Sequence, residues 1–230
     1  MTQNLGPLIY TVSTWVIPAI LAITLHEAAH GFVAHRFGDD TAWRQGRVTL
    51  NPLSHVDPFG TILLPGLLLL SHAPFLFGYA RPVPVNFRAL RHPRRDMVWV
   101  AAAGPAANIL MATIAGLMAH AADFLPIGVD QWFLENIENA IVLNVILALF
   151  NMIPLPPLDG GRVAVGSLPN ALAFPLARLE QYGTAIIVGL LVILPMIGAQ
   201  LGVDLNVMSW LLSGPENAVV MAILHVTGNI

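Results

Sequence analysis

Six stretches of the chain stay apolar for close to the length that crosses a bilayer, at about 8–34, 59–78, 97–122, 133–156, 183–203 and 206–227. Each is built mainly from Leu, Ile, Val, Ala, Phe and Gly, and runs of roughly 20 such residues predict spanning helices. The second stretch breaks the pattern. Pro65 and Gly66 interrupt it, Ser71-His72-Ala73-Pro74 follows, and it reads either as a clean span or as a bent, re-entrant hairpin. Between Gly78 and Arg95 the chain turns polar and proline-rich. The alternation of Val83, Val85 and Phe87 predicts a short β-edge at 81–87, because Pro82 and Pro84 are tolerated only where a strand needs no inward N–H. A basic loop held at lipid headgroups is the other reading.

Composition turns this pattern into a class. Of 230 residues, 56% are hydrophobic and only 10% charged, against about 25% charged in soluble domains. So few charges cannot solvate a globule of this size, so the expected fold is an all-α polytopic membrane protein of five to six membrane segments. With no long hydrophilic insert, residues 1–230 read as one membrane-embedded domain, a core at about 8–165 followed by helices at about 180–228. The absence of cysteine excludes disulfides and thiolate metal ligands, and a net charge of −3 argues against a nucleic-acid partner.

All ten cations are arginines, and their placement carries more than their sum. Arg36, Arg44 and Arg47 follow the first segment; Arg81, Arg88, Arg91, Arg94 and Arg95 follow the second; Arg162 and Arg178 follow the fourth. The connection after the third segment carries Asp123, Asp130, Glu135 and Glu138 and no cation. The positive-inside rule then puts the arginine-bearing loops in the cytoplasm and the N-terminus outside. That orientation requires the second segment to enter and leave on one side.

The chemistry concentrates in His26-Glu27-Ala28-Ala29-His30. Two histidines four apart lie about 40° from one line on a helix, so both imidazoles can reach one metal, as the H-E-x-x-H pattern requires. Glu27, one step along, can take a proton from attacking water and return it to the leaving amine. Two histidines and a glutamate near the end of an apolar helix are costly in lipid unless they pair or bind something. Catalytic zinc usually needs a third protein ligand. Asp159, in Asn151-Met-Ile-Pro-Leu-Pro-Pro-Leu-Asp159-Gly-Gly-Arg162, stands at the mouth of a later apolar segment. Pro154, Pro156 and Pro157 must unwind the backbone there. Irregular backbone at membrane depth is tolerated only where protein or a water-filled cavity covers it. The arginine pattern puts Asp159 and HEAAH at the same end of their helices.

HEAAH paired with N-x-x-P-x-P-P-x-D-G resembles the site-2 protease family, the intramembrane zinc metalloproteases, and most closely its compact bacterial members. NPLSHVDPFGT (51–61), FGYARPVPVN (77–86), RRDM (94–97) and AGPAANIL (103–110) resemble that subgroup too, so the likeness covers roughly residues 20–165. The resemblance implies one zinc held by His26, His30 and Asp159, with Glu27 as general base. It also implies that Asn151 helps bind substrate or donates to the tetrahedral oxyanion. The substrate implied is a transmembrane protein or peptide in the lipid bilayer, cut near the cytoplasmic face, in a bacterial inner membrane. The PDZ or CBS domains that many members carry find no counterpart here.

Weaker candidates complete the reading. Asn108 and Asn144 suit hydrogen bonding between helices, with the site as the alternative. His55 could support a zinc ligand from behind, while Asp57 before Pro58 suits an Asx turn equally well. His72 falls in the turn of the second segment. A second function fits a His2Asp site as well: a non-proteolytic metal carrier or metal-binding scaffold. Glu27 separates the two, because transit of an ion needs no base beside it.

Overall fold

The computed structural model describes residues 5–63, 67 and 80–230. Among them, five helices are long and apolar enough to cross a membrane. In chain order the helices are α1 Leu5–Arg36, α2 Pro93–Met118 and α3 Val129–Asn151. The short α4 Asp159–Ser167 and α5 Asn170–Arg178 follow. The spans α6 Glu180–Leu201 and α7 Val207–Val226 complete the set. The protein is an integral membrane protein of all-α architecture.

The helix ends follow local chemistry. α3 begins after Gly128, which sits at φ 89. It stops at Asn151, five residues before the apolar run itself ends, because Pro154 offers no N–H and disfavours helical backbone at the residue before it. α2 opens with Pro93 in its first turn, where a missing N–H costs nothing. Asp96 accepts from the His92 N–H at 2.8 Å and so closes the entry to that helix.

Most of the predicted second segment, including His72, lies outside the described residues; Pro58–Leu63 forms a single π-helical turn at its start. Its flanks are joined, since the Arg81 N–H donates to the His55 carbonyl at 2.9 Å. Residues 81–86 are extended, as the alternation suggested, yet no strand forms among the described residues. The physical reason is that their amides are engaged elsewhere, Arg81 with the His55 carbonyl and two others with side chains. Val83 donates to Glu27 and Asn86 to Asp39, and prolines occupy 82 and 84.

Hydrogen bonds set the relative directions of the first three spans. His26 and His30 of α1 meet Asn108 and Val100 of α2, so those helices run antiparallel. Ser13 and Thr14 of α1 meet Trp132 and Asn139 of α3 near the other end, so α1 and α3 run the same way. The last turn of α1, the first of α2 and the last of α3 therefore gather at one end. Polar ties of this kind suit a bilayer, where lipid tails are as apolar as leucine and provide no drive for helices to associate.

Packing supplies the rest. Ala112, Ala115, Ile137, Ile141, Val145 and Ile223 form a buried cluster joining α2, α3 and α7. Ala34, Leu90 and Val100 form a second, with Val85 and Phe87 packed against it, which seats the extended segment on α1 and α2. Asp39, fully buried, holds that segment's far end by accepting from the N–H groups of Thr41 and Asn86 at 2.9 and 2.6 Å. Arg47 holds its near end through the Arg81 carbonyl at 2.8 Å. Arg94 reaches from α2 to the Gly166 and Leu168 carbonyls and to Asn170, tying α2 to the α4–α5 connection.

Candidate metal centre

His26 and His30 occupy successive turns of one face of α1, and both are buried. Asp159 opens α4, five residues after the proline-rich turn begins at Pro154. Gly160 and Gly161 make that placement feasible. A Cβ at Gly160 would come 2.2 Å from the Met152 carbonyl oxygen, and one at Gly161 would come 2.2 Å from the Pro156 nitrogen. Only glycine lets the start of α4 fold this tightly against the end of α3.

Three atoms converge as a result. The Nε2 atoms of His26 and His30 lie 3.1 Å apart, and Asp159 Oδ2 lies 3.2 and 3.3 Å from them. The three residues form a cluster able to hold a metal ion. Tetrahedral zinc with bonds of about 2.0–2.1 Å sets neighbouring donors about 3.3–3.4 Å apart. The observed triangle matches that spacing closely.

The surroundings pass the same test. His26 Nδ1 faces Asn108 Oδ1 at 2.5 Å and His30 Nδ1 faces the Val100 carbonyl at 2.7 Å. A carbonyl oxygen only accepts, so each Nδ1 carries the hydrogen and each Nε2 is left with its lone pair. Two lone pairs and a carboxylate oxygen then point at one spot, which a cation relieves and nothing apolar does. Asp159 Oδ2 is buried without a hydrogen-bond donor. Gly104 of α2 leaves the space open: a Cβ there would lie 2.4 Å from His30 Nε2 and 2.6 Å from His26 Nε2. The donor set fits zinc, with soft thiolates absent and nitrogen and oxygen ligands present.

The cluster faces a cavity of about 320 Å³ whose walls include Glu27, Val83, Val85, Asn151 and Arg162. Glu27 is partly exposed, and its Oε2 accepts from the Val83 N–H at 2.7 Å, which fixes the carboxylate beside the triangle. Asn151 donates one amide hydrogen to its own helix, at the Leu147 carbonyl, and keeps a second. Arg162 stacks over the Phe87 ring at 4.8 Å and reaches Glu180 at 3.4 Å.

Other sequence candidates land elsewhere. His55 is buried, but its Nε2 donates to the Thr49 carbonyl at 3.1 Å and it contacts no zinc-site candidate through its side chain. Asp57 caps the Pro58–Leu63 turn by accepting from the Phe59 and Gly60 N–H groups. Asn108 does bridge helices, to Asn144 at 2.7 Å, and it also holds His26. The sequence marks Gly104, in AGPAAN, as a point where another helix can approach closely, and the glycine-sized space against His26 and His30 bears this out. It does not reveal the Val100 carbonyl or the Val83 N–H.

Comparison with known proteins agrees with this geometry. The chain belongs to the site-2 protease family of zinc metalloproteases. It is 43% identical over 176 residues to the provisionally named zinc metalloprotease YwhC of Bacillus subtilis, covering 73% of this chain and 75% of that one. It is 30% identical over 187 residues to Rip2 of Mycolicibacterium smegmatis, which bears the same kind of provisional name, covering 81% of this chain and 68% of that one. No family model and no solved structure matches the chain.

Proposed function

We propose that the chain is an intramembrane zinc endopeptidase that hydrolyses peptide bonds in or near transmembrane segments of other proteins, close to the cytoplasmic face of a bacterial inner membrane. The observation that carries this reading is the donor triangle of His26, His30 and Asp159, with the Glu27 carboxylate beside it, in a polar cavity among apolar helices. His26, His30 and Asp159 hold one zinc ion, which when bound supplies the Lewis acidity that acidifies water and polarises a carbonyl.

The chain's own groups do the remaining work. Glu27 takes the proton from attacking water and delivers it to the leaving amine. The Val83 N–H aims Oε2 for that task by donating to it. The free amide hydrogen of Asn151 donates to the oxyanion as charge develops there. The cavity gives water a polar route to helix ends that would otherwise meet lipid, as hydrolysis at membrane depth requires. Orientation follows from the arginines: Arg36, Arg94, Arg95 and Arg162 belong to the same helix ends as the site. The core of about 8–165 and the C-terminal helices act as one peptidase domain.

Glu27→Gln is the test. It keeps the triangle intact, so purified protein retains zinc while cleavage of a membrane substrate falls by about 10²–10⁴-fold or more. Membrane proteomics of that variant against the parent reveals the uncut substrates. Unimpaired cellular function in Glu27→Gln would overturn the protease reading and favour a metal carrier, whose transit site needs no base.

A further inference from the structure

One stripe of α2 faces the two histidines: Val100, Gly104 and Asn108, each four residues from the next. Val100 serves His30 through its main-chain carbonyl, and Gly104 provides room. Asn108 is fully buried and serves His26 through a side chain, so its orientation must itself be fixed. A primary amide has two ends of opposite character. Turned the other way, it would present an N–H to His26 Nδ1, draw the ring hydrogen to Nε2 and remove the lone pair a metal needs.

What fixes it lies on α3. Asn144, 3% exposed, donates from Nδ2 to the Ala140 carbonyl at 2.9 Å. That carbonyl only accepts, so the Asn144 amide cannot reverse and its Oδ1 faces Asn108. Asn108 Nδ2 therefore donates, to Asn144 Oδ1 at 2.7 Å and to the Ala22 carbonyl of α1 at 3.3 Å. Asn108 Oδ1 is then the acceptor presented to His26 Nδ1 at 2.5 Å. The polarity is set at two main-chain carbonyls, Ala140 through Asn144 and Ala22 directly, and is carried through Asn108 to a ring nitrogen.

We propose that Asn108 and Asn144 are positioning residues that act in series to lock His26 in its Nδ1–H tautomer, with Nε2 open toward the metal. Neither touches the triangle. Their effect reaches it only through His26, in the way that partners behind a metal-bound histidine set its tautomer and aim. The relay also joins α1, α2 and α3 at the depth of the site, so the register of three spans and the tautomer of one ligand are settled by the same bonds. It rests on the zinc-site reading above.

The test uses the full chain purified in detergent, with zinc affinity measured by competition against a chelating dye. Apparent melting of the zinc-free protein is followed in parallel. Asn108→Leu keeps the shape and removes the acceptor, and is expected to weaken zinc binding 10–100-fold. Asn108→Asp retains an oxygen facing His26 Nδ1 and, when protonated, an O–H facing Asn144; it is expected to bind zinc within about threefold of the parent. Asn144→Leu leaves the His26–Asn108 bond and removes the shorter of the two contacts that orient Asn108, leaving the Ala22 carbonyl at 3.3 Å, so it weakens binding less than Asn108→Leu does. The double variant Asn108→Leu/Asn144→Leu is no weaker than Asn108→Leu alone, because two links in series fail together. Should Asn108→Leu not fold, Asn108→Asp and Asn144→Leu decide by the same criteria. Binding by Asn108→Leu within twofold of the parent would overturn the relay. So would Asn108→Asp as weak as Asn108→Leu, or additive losses in the double variant. A parent chain that binds no zinc would instead refute the metal site itself.

Discussion

The first three spans and the last two meet the same bilayer in different ways. In the apolar windows of α1, α2 and α3, 28–33% of residues are buried, against 11% in those of α6 and α7. The buried polar residues follow the same division: His26, His30, Asn108, Asn136 and Asn144 all lie in the first three helices. In the last two, α7 offers Met208 and Ile223 to the interior, and its ties come at the very end, where Thr227 and Asn229 meet His120 and Gly116. A helix that must hold a charged triangle needs neighbours on several sides to satisfy it, whereas a helix facing lipid needs only to be apolar. The core is thus specified by its buried polar side chains, and the C-terminal pair by having none within its helices.

Glycine substitutions set the two regions against each other most sharply. Gly104→Ala would place a methyl carbon 2.4–2.6 Å from both imidazole Nε2 atoms, in the space an ion would fill. Main chain carries it, so it cannot rotate away as a flexible side-chain tip could. The expected result is loss of stoichiometric zinc and of all measurable cleavage, read by metal analysis of the purified protein. Retention of full zinc in Gly104→Ala would show that the α1–α2 contact is loose, and the contrast between the regions would weaken with it.

Much of this division was legible in the sequence, and the part that was not has a common cause. Hydropathy placed the spans, and the spacing of His26, Glu27 and His30 made a metal site readable because four residues on a helix is a local relation. Asp159 became readable because three nearby prolines forbid regular helix. Facing relations between spans were not readable. Asn108 meets His26 across 82 residues of sequence, and which residue of α2 sits opposite a given residue of α1 depends on register. In a soluble helix, apolar periodicity marks the buried face; here the lipid face is as apolar as the core and the periodicity is mute. That is why Asn108 looked like glue between helices, which it is, without disclosing that it also grips His26. The same blindness made His55 a candidate partner for the site, when it buckles the 49–56 loop instead. The extended 81–86 segment was visible in its alternation, while its bonding to Glu27 and Asp39 side chains was not.

An intermediate effect belongs to a cluster where the regions join. Ile223 of α7 is 6% exposed and packs with Ala112, Ala115, Ile137, Ile141 and Val145. Ile223→Ala removes buried methyl groups and leaves a cavity, for an expected cost of about 2–5 kcal/mol. It should lower the melting temperature of the zinc-free protein while leaving zinc affinity within about twofold, because the cluster sits behind the site and contributes no atom to it. A parallel fall in zinc affinity would mean that α7 helps hold α2 and α3 in the register the site needs.

The smallest expected effect completes the contrast. Gly189 in α6 has helical backbone, φ −57 and ψ −48, and a Cβ there would meet nothing within 4 Å. Alanine costs less conformational entropy to hold in a helix than glycine, so Gly189→Ala should stabilise by roughly 0.5–1 kcal/mol. In lipid the added methyl lies against acyl chains as comfortably as against protein. Zinc content and cleavage should match the parent, with a small rise in melting temperature as the only change. The same substitution chemistry would then abolish one site and slightly improve another, and the deciding variable would be what lies within 3 Å of the new carbon. If Gly189→Ala instead reduced cleavage while zinc stayed bound, α6 would be acting on the substrate, and its exposed face would be a working surface of the protease rather than an anchor in lipid.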